Sequence, residues 1–518
     1  MAKWPPGFPL TRRELAILTA AGFFTSCKKE EGAEPDFSAT DTVVADNAPP
    51  APADVPVSDV HVHLFNANFL PLDGVFAKWV DPIYARAVAR FLTAKVNDCT
   101  DDGELAALAG TDPLQEIEGL SENPDALLER LYEGSDAALE QREVEEGLSS
   151  VAPEAGEQAT EDTVQRKAAF KEMFHRTAEG ANEMFPEKGG FFQWVTLMTW
   201  CEKKIWAALR AAYPDVQLFV AHMMDMENWY APTRPPRYSW PNAQLTRMAA
   251  LMKEAEGRML TFFAFDPRRD DWQEHLEAAL ENGCAGVKFY PPNGFAPADE
   301  QGVMQPTTKA FFQFCSTEQL PIFTHSTPHG FEAVTGNGRR FANPKLWAPV
   351  LREFPELRVC FAHAGGEQGW FPSERSERSE TEKAFSAEAI ALCREYPNVY
   401  CEVAYLSPIL KPAGQAAFQR ALETAIGERG RYPFEKKIMY GSDWHMIHKL
   451  RDHRSYLPSF QKALSGSQWD TLRADFFLGN SIRWLNLPRY LQRLQAKAPG
   501  FFGAAAVQHL QSLIAAAG

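Results

Sequence analysis

The chain is 518 residues long, 45% hydrophobic and 23% charged, with a formal net charge of −16. That length suffices for one large barrel with an insertion, or for two to three average domains, and no apolar run approaches the ~20 residues a membrane-spanning helix needs. The acidic balance argues against a nucleic-acid binder, which needs a basic stripe to displace counterions.

Residues 1–27 read as an address. Thr11-Arg12-Arg13 followed by the apolar stretch Leu15 to Phe24 resembles a twin-arginine export signal. Ser26-Cys27 stands where a bacterial lipoprotein signal is cut, although Phe24 and Thr25 depart from the usual Leu-Ala approach to the cysteine. The expectation is export from a bacterial cell, to the periplasm or as a lipoprotein whose lipid on Cys27 is its one membrane contact. Residues 28–54, rich in Glu, Ala, Pro and Asp without periodicity, suit a disordered tether.

A strand over Val55–Val62 opens the folded body. The next strand candidate, Val216–Ala221, lies about 150 residues on, far more than one crossover needs. Residues 70–189 therefore read as a helical insertion, with helices over Ile83–Val96, Leu127–Leu148 and Thr163–Met184. Between Asp101 and Gln165 it carries 19 acidic residues against two basic ones, Arg130 and Arg142, which accounts for the whole charge imbalance. A solvated helical surface is the plain reading of that run, and a charge-selective gate over an active site is the other. A helix over Phe192–Ala212 completes the first strand–helix unit.

Strand candidates then recur at Leu260–Phe265, Ala285–Tyr290, Pro321–Thr324, Leu357–Ala362, Val399–Ala404 and Lys437–Tyr440, spaced by about 25 to 45 residues, the length of one βα unit. Eight parallel strands, apolar throughout and so buried on both faces, predict an α/β fold: a (β/α)8 TIM barrel built from residues 55–69 and 190–490. Residues 491–518 are left as a C-terminal tail. The eight cysteines show no C-x-x-C pair, which indicates neither a zinc knuckle nor a thioredoxin-like motif.

The chemistry gathers at the carboxyl ends of these strands. His61 and His63 share one side of an extended strand, so two imidazoles can reach one ion. His325, His363 and Asp443-Trp444-His445 stand after later strands, and Lys288 and Tyr290 lie on the fourth. Four of the chain's 12 histidines fall at strand ends in this order, a pattern that structural histidines have no reason to follow. Three or four nitrogen and oxygen ligands from separate strands leave a position open for water on a divalent cation. Arg268 follows the third strand, where it can hold a substrate carboxylate or make a structural ion pair. His329, Trp444 and His445 are candidates for the pocket wall, as are His222 and Asp225, while His448 and His453 read as helix-surface residues.

Together DVHVHLF, GVKFYPP, FTHSTPHG, FAHAGG and GSDWH, in this order, resemble the amidohydrolase superfamily, and within it the branch of the aminocarboxymuconate-semialdehyde decarboxylases. The resemblance implies that His61, His63, His325 and Asp443 hold one divalent metal, most naturally zinc. It makes Lys288, which bridges two ions when carboxylated in binuclear members, and His363 the second-site ligands, with one ion favoured over two. It also implies hydrolysis of an amide, cyclic amide, lactone or ester by metal-activated water, with Asp443 and His363 as the proton-transfer groups. The alternative it offers is non-oxidative decarboxylation of an aromatic or unsaturated carboxylic acid. The partner is thus a small-molecule substrate; homo-oligomerisation is left open.

Overall fold

The structure, a computed structural model, describes residues 55–80, 82–96, 122–133, 159–181, 185, 189–227, 229–230, 236–238, 240–371, 377–450 and 452–518. The proposed signal and tether lie outside these residues, as do residues 134–148 of the expected Leu127–Leu148 helix. No helix among the described residues is long and apolar enough to cross a membrane.

Eight strands, β1 (Val57–Val62), β2 (Val216–His222), β3 (Met259–Phe265), β4 (Gly286–Phe289), β5 (Ile322–Thr324), β6 (Val359–Phe361), β7 (Val399–Glu402) and β8 (Ile438–Met439), pair in sequence order. Every pairing is parallel. Nearly every strand residue is buried, which is why these segments read as apolar runs rather than as alternating ones. The seam between β8 and β1 is drawn together by Val60 N–H on the Tyr440 carbonyl (3.3 Å) and Asp443 N–H on the His61 carbonyl (2.7 Å). Below these, the Asp59 carboxylate accepts Ser442 N–H (3.0 Å) and Oγ–H (2.5 Å). The result is the nearly closed (β/α)8 barrel expected from the sequence.

The insertion contributes α1 (Pro82–Lys95), α2 (Pro124–Glu133) and α3 (Ala159–Gly180). Phe91, Leu128, Phe170 and Phe174 give it an apolar core of its own, which continues into Met224, Tyr230 and Tyr290 at the barrel mouth. Trp79 faces Phe331, with ring centroids 6.3 Å apart, and Lys78 Nζ donates to the Glu332 carbonyl on the loop after β5. The insertion thereby covers the face onto which the strand ends open.

One helix expected over Phe192–Ala212 is two, α4 (Gly190–Met198) and α5 (Glu202–Ala212). The break falls where Ala67 N–H takes the Met198 carbonyl (2.9 Å), and Cys201 is extended at the start of α5. At the opposite face, the segment read as a tail carries α6 (Ala504–Ala516), whose Ala506, Leu510 and Leu513 are buried in the barrel's own apolar cluster. His509 Nε2 donates to the Gln217 carbonyl (2.9 Å), fastening this helix beneath β2.

Candidate metal centre

His61 and His63 leave β1 on one side, as the two-residue period requires. Each has its Nδ1 on a fixed acceptor: His61 donates to Glu402 Oε1 (2.9 Å) and His63 to the His222 carbonyl (2.9 Å). A proton held at Nδ1 leaves a lone pair on Nε2, the tautomer a metal ligand needs. Asp443 Oδ1 lies 3.9 Å from both Nε2 atoms, and the three ligand atoms form one group. His61 Nε2 and Asp443 Oδ1 are buried without a hydrogen-bond partner. Two orphaned lone-pair atoms turned toward one point are costly unless a cation completes them, so this donor set fits a divalent metal.

The electrostatics agree. Burial first, and the Lys288 charge second, hold His61 and His63 well below the ordinary imidazole range, so both are neutral ligands. Burial pushes Asp443 up to about 6 against the opposing pull of Lys288 and Lys449. Lys288 itself, 1% exposed, is brought down to about 8, with Asp443 and Glu402 acting the other way. Its Nζ lies over the Phe323 ring at 4.5 Å.

Glu402 is the functional residue that the sequence reading missed. It ends β7, fully buried, and accepts His61 Nδ1, His363 N–H (2.7 Å) and Ala404 N–H. A second group of potential ligands, His61, His363 and Glu402, shares His61 with the first and is built from these same hydrogen bonds. Burial pushes the Glu402 carboxyl up to about 8, opposed by the His363 and Ala404 amides. The available signal was a single acid inside the apolar run Val399–Ala404. Gly441 belongs to the same arrangement, since a Cβ there would strike Glu402 Oε2.

His363 stands beside the group, its ring centroid 5.0 Å from that of His61, with Nδ1 on the Ala404 carbonyl (3.1 Å). Burial lowers it to about 4, leaving a neutral imidazole at pH 7. His325 reaches within 5.0 Å of the His363 ring, but its Nε2 turns to the His329 carbonyl (2.6 Å) and it lies outside the His61–His63–Asp443 group. Tyr290 packs its ring 5.0 Å from His325 and accepts Phe331 N–H through its hydroxyl (3.0 Å). The exposed side chain of His329 meets Glu382 Oε1 at 3.3 Å.

Arg268 is engaged elsewhere. Nε and Nη2 bind the Asp266 carboxylate (2.8 and 2.5 Å), Nη1 binds the Asn293 carbonyl (3.0 Å), and the guanidinium lies 3.6 Å from the Trp229 ring centroid. Arg269 likewise clamps Asp225 through two bonds of 2.5 and 2.8 Å. His222 is buried, donates Nε2–H to the Val60 carbonyl (2.9 Å) and stacks on Phe323 at 4.1 Å. Trp444 is wholly buried, and His445 packs on Phe65 with Nε2 on the Phe65 carbonyl (2.9 Å). The surface position expected for His448 and His453 is corrected. Both are fully buried, ring centroids 4.5 Å apart, in a segment after β8 that packs closely on the start of α4, where a Cβ on Gly190 would lie 2.7 Å from the Lys449 carbonyl oxygen.

A comparison with curated proteins gives no match. Among solved structures the chain is similar to a 2,6-dihydroxybenzoate decarboxylase from Rhizobium, at 16% identity over 54% of this chain and 87% of that one, with a TM-score of 0.35. It is similar to a zinc-bound amidohydrolase from Burkholderia multivorans, at 13% identity over 55% and 87%, with a TM-score of 0.37. A 5-carboxyvanillate decarboxylase from Novosphingobium aromaticivorans, complexed with manganese and 4-hydroxy-3-methoxy-5-nitrobenzoic acid, matches at 12% identity over 60% and 87%, with a TM-score of 0.37. The amidohydrolase family pattern spans residues 58–487, from the second residue of β1 to beyond the last strand, and takes in every residue of the site just described. The chain belongs to the amidohydrolase family.

Proposed function

We propose that this chain is a single-metal enzyme that removes carbon dioxide from an aromatic or unsaturated carboxylic acid, with zinc as the resident ion. The observation that carries the reading is Lys288, an ammonium buried in the same chamber as the ligand group, without an ion pair among the described residues. A fixed cation beside a dication, behind aromatic walls such as Phe65, Phe323 and Tyr290, favours an apolar anion over a neutral amide or ester.

When bound, the metal supplies charge stabilisation and a fixed attachment for substrate oxygen. Lys288 draws in the carboxylate and helps to orient it. Asp443, its carboxyl raised to about 6 by burial, can relay a proton taken from solvent to the substrate carbon. The bond from that carbon to the carboxylate breaks, its electron pair takes the Asp443 proton, and carbon dioxide departs. Solvent then returns a proton to Asp443. Two imidazoles and one carboxylate form a borderline donor set, which suits zinc.

Hydrolysis of an amide, lactone or ester is the second reading, favoured by His363. Held neutral and beside the ligand group, that imidazole can take a proton from attacking water. The test is metal analysis of purified protein together with a substrate panel. The decarboxylase reading expects about one ion per chain, its loss in His61→Ala, its retention in Lys288→Ala, and carbon dioxide release from hydroxybenzoates or enoic acids. Turnover of lactones or amides with no release of carbon dioxide would overturn it, and half the metal lost in Lys288→Ala would establish a two-ion centre instead.

A further inference from the structure

The insertion and the barrel mouth meet at two buried phenols. Tyr230, on the loop after β2, is 5% exposed, and its hydroxyl is buried without a hydrogen-bond partner among the described residues. The insertion closes on its backbone, since a Cβ on Gly74 would strike the Tyr230 carbonyl. Tyr290, which follows β4, accepts Phe331 N–H (3.0 Å), but its own O–H has no acceptor among the described residues. Phenylalanine would fill the Tyr230 position without an orphaned donor, so packing does not call for that hydroxyl.

Both rings stand against one stretch of the loop after β5. Lys78 Nζ lies 5.4 Å from the Tyr230 ring centroid and donates to the Glu332 carbonyl, while the preceding residue, Phe331, gives its N–H to Tyr290. Tyr290 continues this line to the candidate metal centre, with its ring 5.7 Å from Lys288 Nζ and 5.0 Å from the His325 ring. The Glu332 carboxylate is spent on the Gly336 and Gly338 amides (3.1 and 2.6 Å) and serves neither phenol. Burial first, and the neighbouring Tyr290 and Glu332 second, hold the Tyr230 phenol well above its ordinary range, so it stays a neutral O–H donor.

We propose that Tyr230 is a specificity-determining residue whose hydroxyl, with that of Tyr290, binds a second carboxylate of the substrate, so that the enzyme acts on an aromatic or unsaturated dicarboxylic acid. The inference rests on the decarboxylase reading above for the reacting carboxylate, which Lys288 draws in. The two phenols take the carboxylate that is retained. Each phenol has a proton to give, and a carboxylate offers two oxygens with lone pairs to receive them. The Lys78 ammonium beside Tyr230 favours an anion at this end over a neutral amide or ether. A hydrogen bond to a charged acceptor in a buried site is worth about tenfold to a hundredfold in affinity.

The experiment uses the full chain, zinc-loaded and, in parallel, chelator-treated. Benzoate, phthalate, isophthalate and terephthalate, which set the second carboxylate at three spacings, are titrated by calorimetry, and carbon dioxide release is followed from the same acids. At least one dicarboxylate should bind wild type about tenfold to a hundredfold more tightly than benzoate. In Tyr230→Phe that preference should fall below about threefold, while benzoate affinity stays within about twofold of wild type. The Tyr230→Phe melt should match or exceed that of wild type, because an unpaired buried hydroxyl is removed, whereas Tyr290→Phe, which orphans Phe331 N–H, should melt earlier. No preference for any dicarboxylate, a preference that survives in Tyr230→Phe, or an earlier melt of Tyr230→Phe overturns the proposal. Absence of carbon dioxide release from every acid, with the dicarboxylate preference intact, overturns the decarboxylase reading and not the binding role of Tyr230.

Discussion

Replacing Glu402 by Gln tests whether the ligand geometry is set from behind. Three N–H groups converge on this carboxylate, from His61 Nδ1 (2.9 Å), the His363 backbone (2.7 Å) and the Ala404 backbone. A glutamine retains one acceptor oxygen. If that oxygen faces His61 and His363, its amide nitrogen confronts Ala404 N–H, a buried donor against a donor, at a cost of about 1–3 kcal/mol. If it is flipped, His61 Nδ1 faces an N–H and must give up its own proton to Nε2, which then ceases to be a ligand. Outer partners of metal-binding imidazoles are worth about 10- to 100-fold in affinity, or about 1.4–2.7 kcal/mol. Zinc affinity by chelator competition should fall within that range in Glu402→Gln, and the metal-free variant should also melt earlier. An affinity within about threefold of wild type, together with an unchanged melting temperature, would refute the assignment of Glu402 as the group that fixes His61.

Arg268→Ala should act on stability rather than on substrate. It strips both side-chain donors from the buried Asp266 carboxylate and removes the cover over Trp229, at a cost of about 1–3 kcal/mol. Denaturant melts should show the loss while KM stays put; a raised KM with an intact melt would return Arg268 to the pocket. Lys437, buried with its ammonium on the Tyr396 and Pro397 carbonyls, is lowered to about 8 chiefly by burial. The unfolded lysine, with a pKa of about 10.4, holds its proton longer, so this group adds stability as pH rises from about 8 to 10. Wild type should accordingly gain stability on Lys437→Met across that window, and parallel pH–stability curves would show that burial does not control this lysine.

The barrel was legible because a parallel sheet enclosed by helices is apolar on both faces, so each strand stood out as a short unbroken run. All eight fall within a few residues of where the runs lie. The ligand-bearing motifs were legible for a related reason: His61, His63, His325, His363 and Asp443 are polar side chains at the ends of such runs, where burial would otherwise exclude them. Glu402 escaped because it sits inside its run, and a buried acid there can be recognised only by the partners that fold around it, which come from β1 and β6. Arg268 escaped for the opposite reason. It stands where a substrate-binding cation could stand, and only geometry shows that Asp266 and Asn293 have taken its donors.

Backbone strain supplies a further argument for the site. Seven described non-glycine residues have positive φ, and four of them, His363 (57°), Ala364 (42°), Tyr405 (57°) and Asp443 (51°), follow β6, β7 and β8 directly. Each such residue costs about 1 kcal/mol or more, and glycine would adopt the same turn without strain. Gly365 and Gly366, immediately after the strained pair, continue the turn at positive φ without that strain. At His363 and Asp443 the chain instead accepts a left-handed residue that carries an imidazole or a carboxylate. The turn re-aims each side chain from the strand direction toward the mouth, bringing the Asp443 carboxylate to 3.9 Å from both β1 imidazoles. Ala364 and Tyr405 adopt the same region without supplying a ligand, so the strain belongs to these strand-end turns as a whole, and His363 and Asp443 are the two positions at which it carries a side chain of the site.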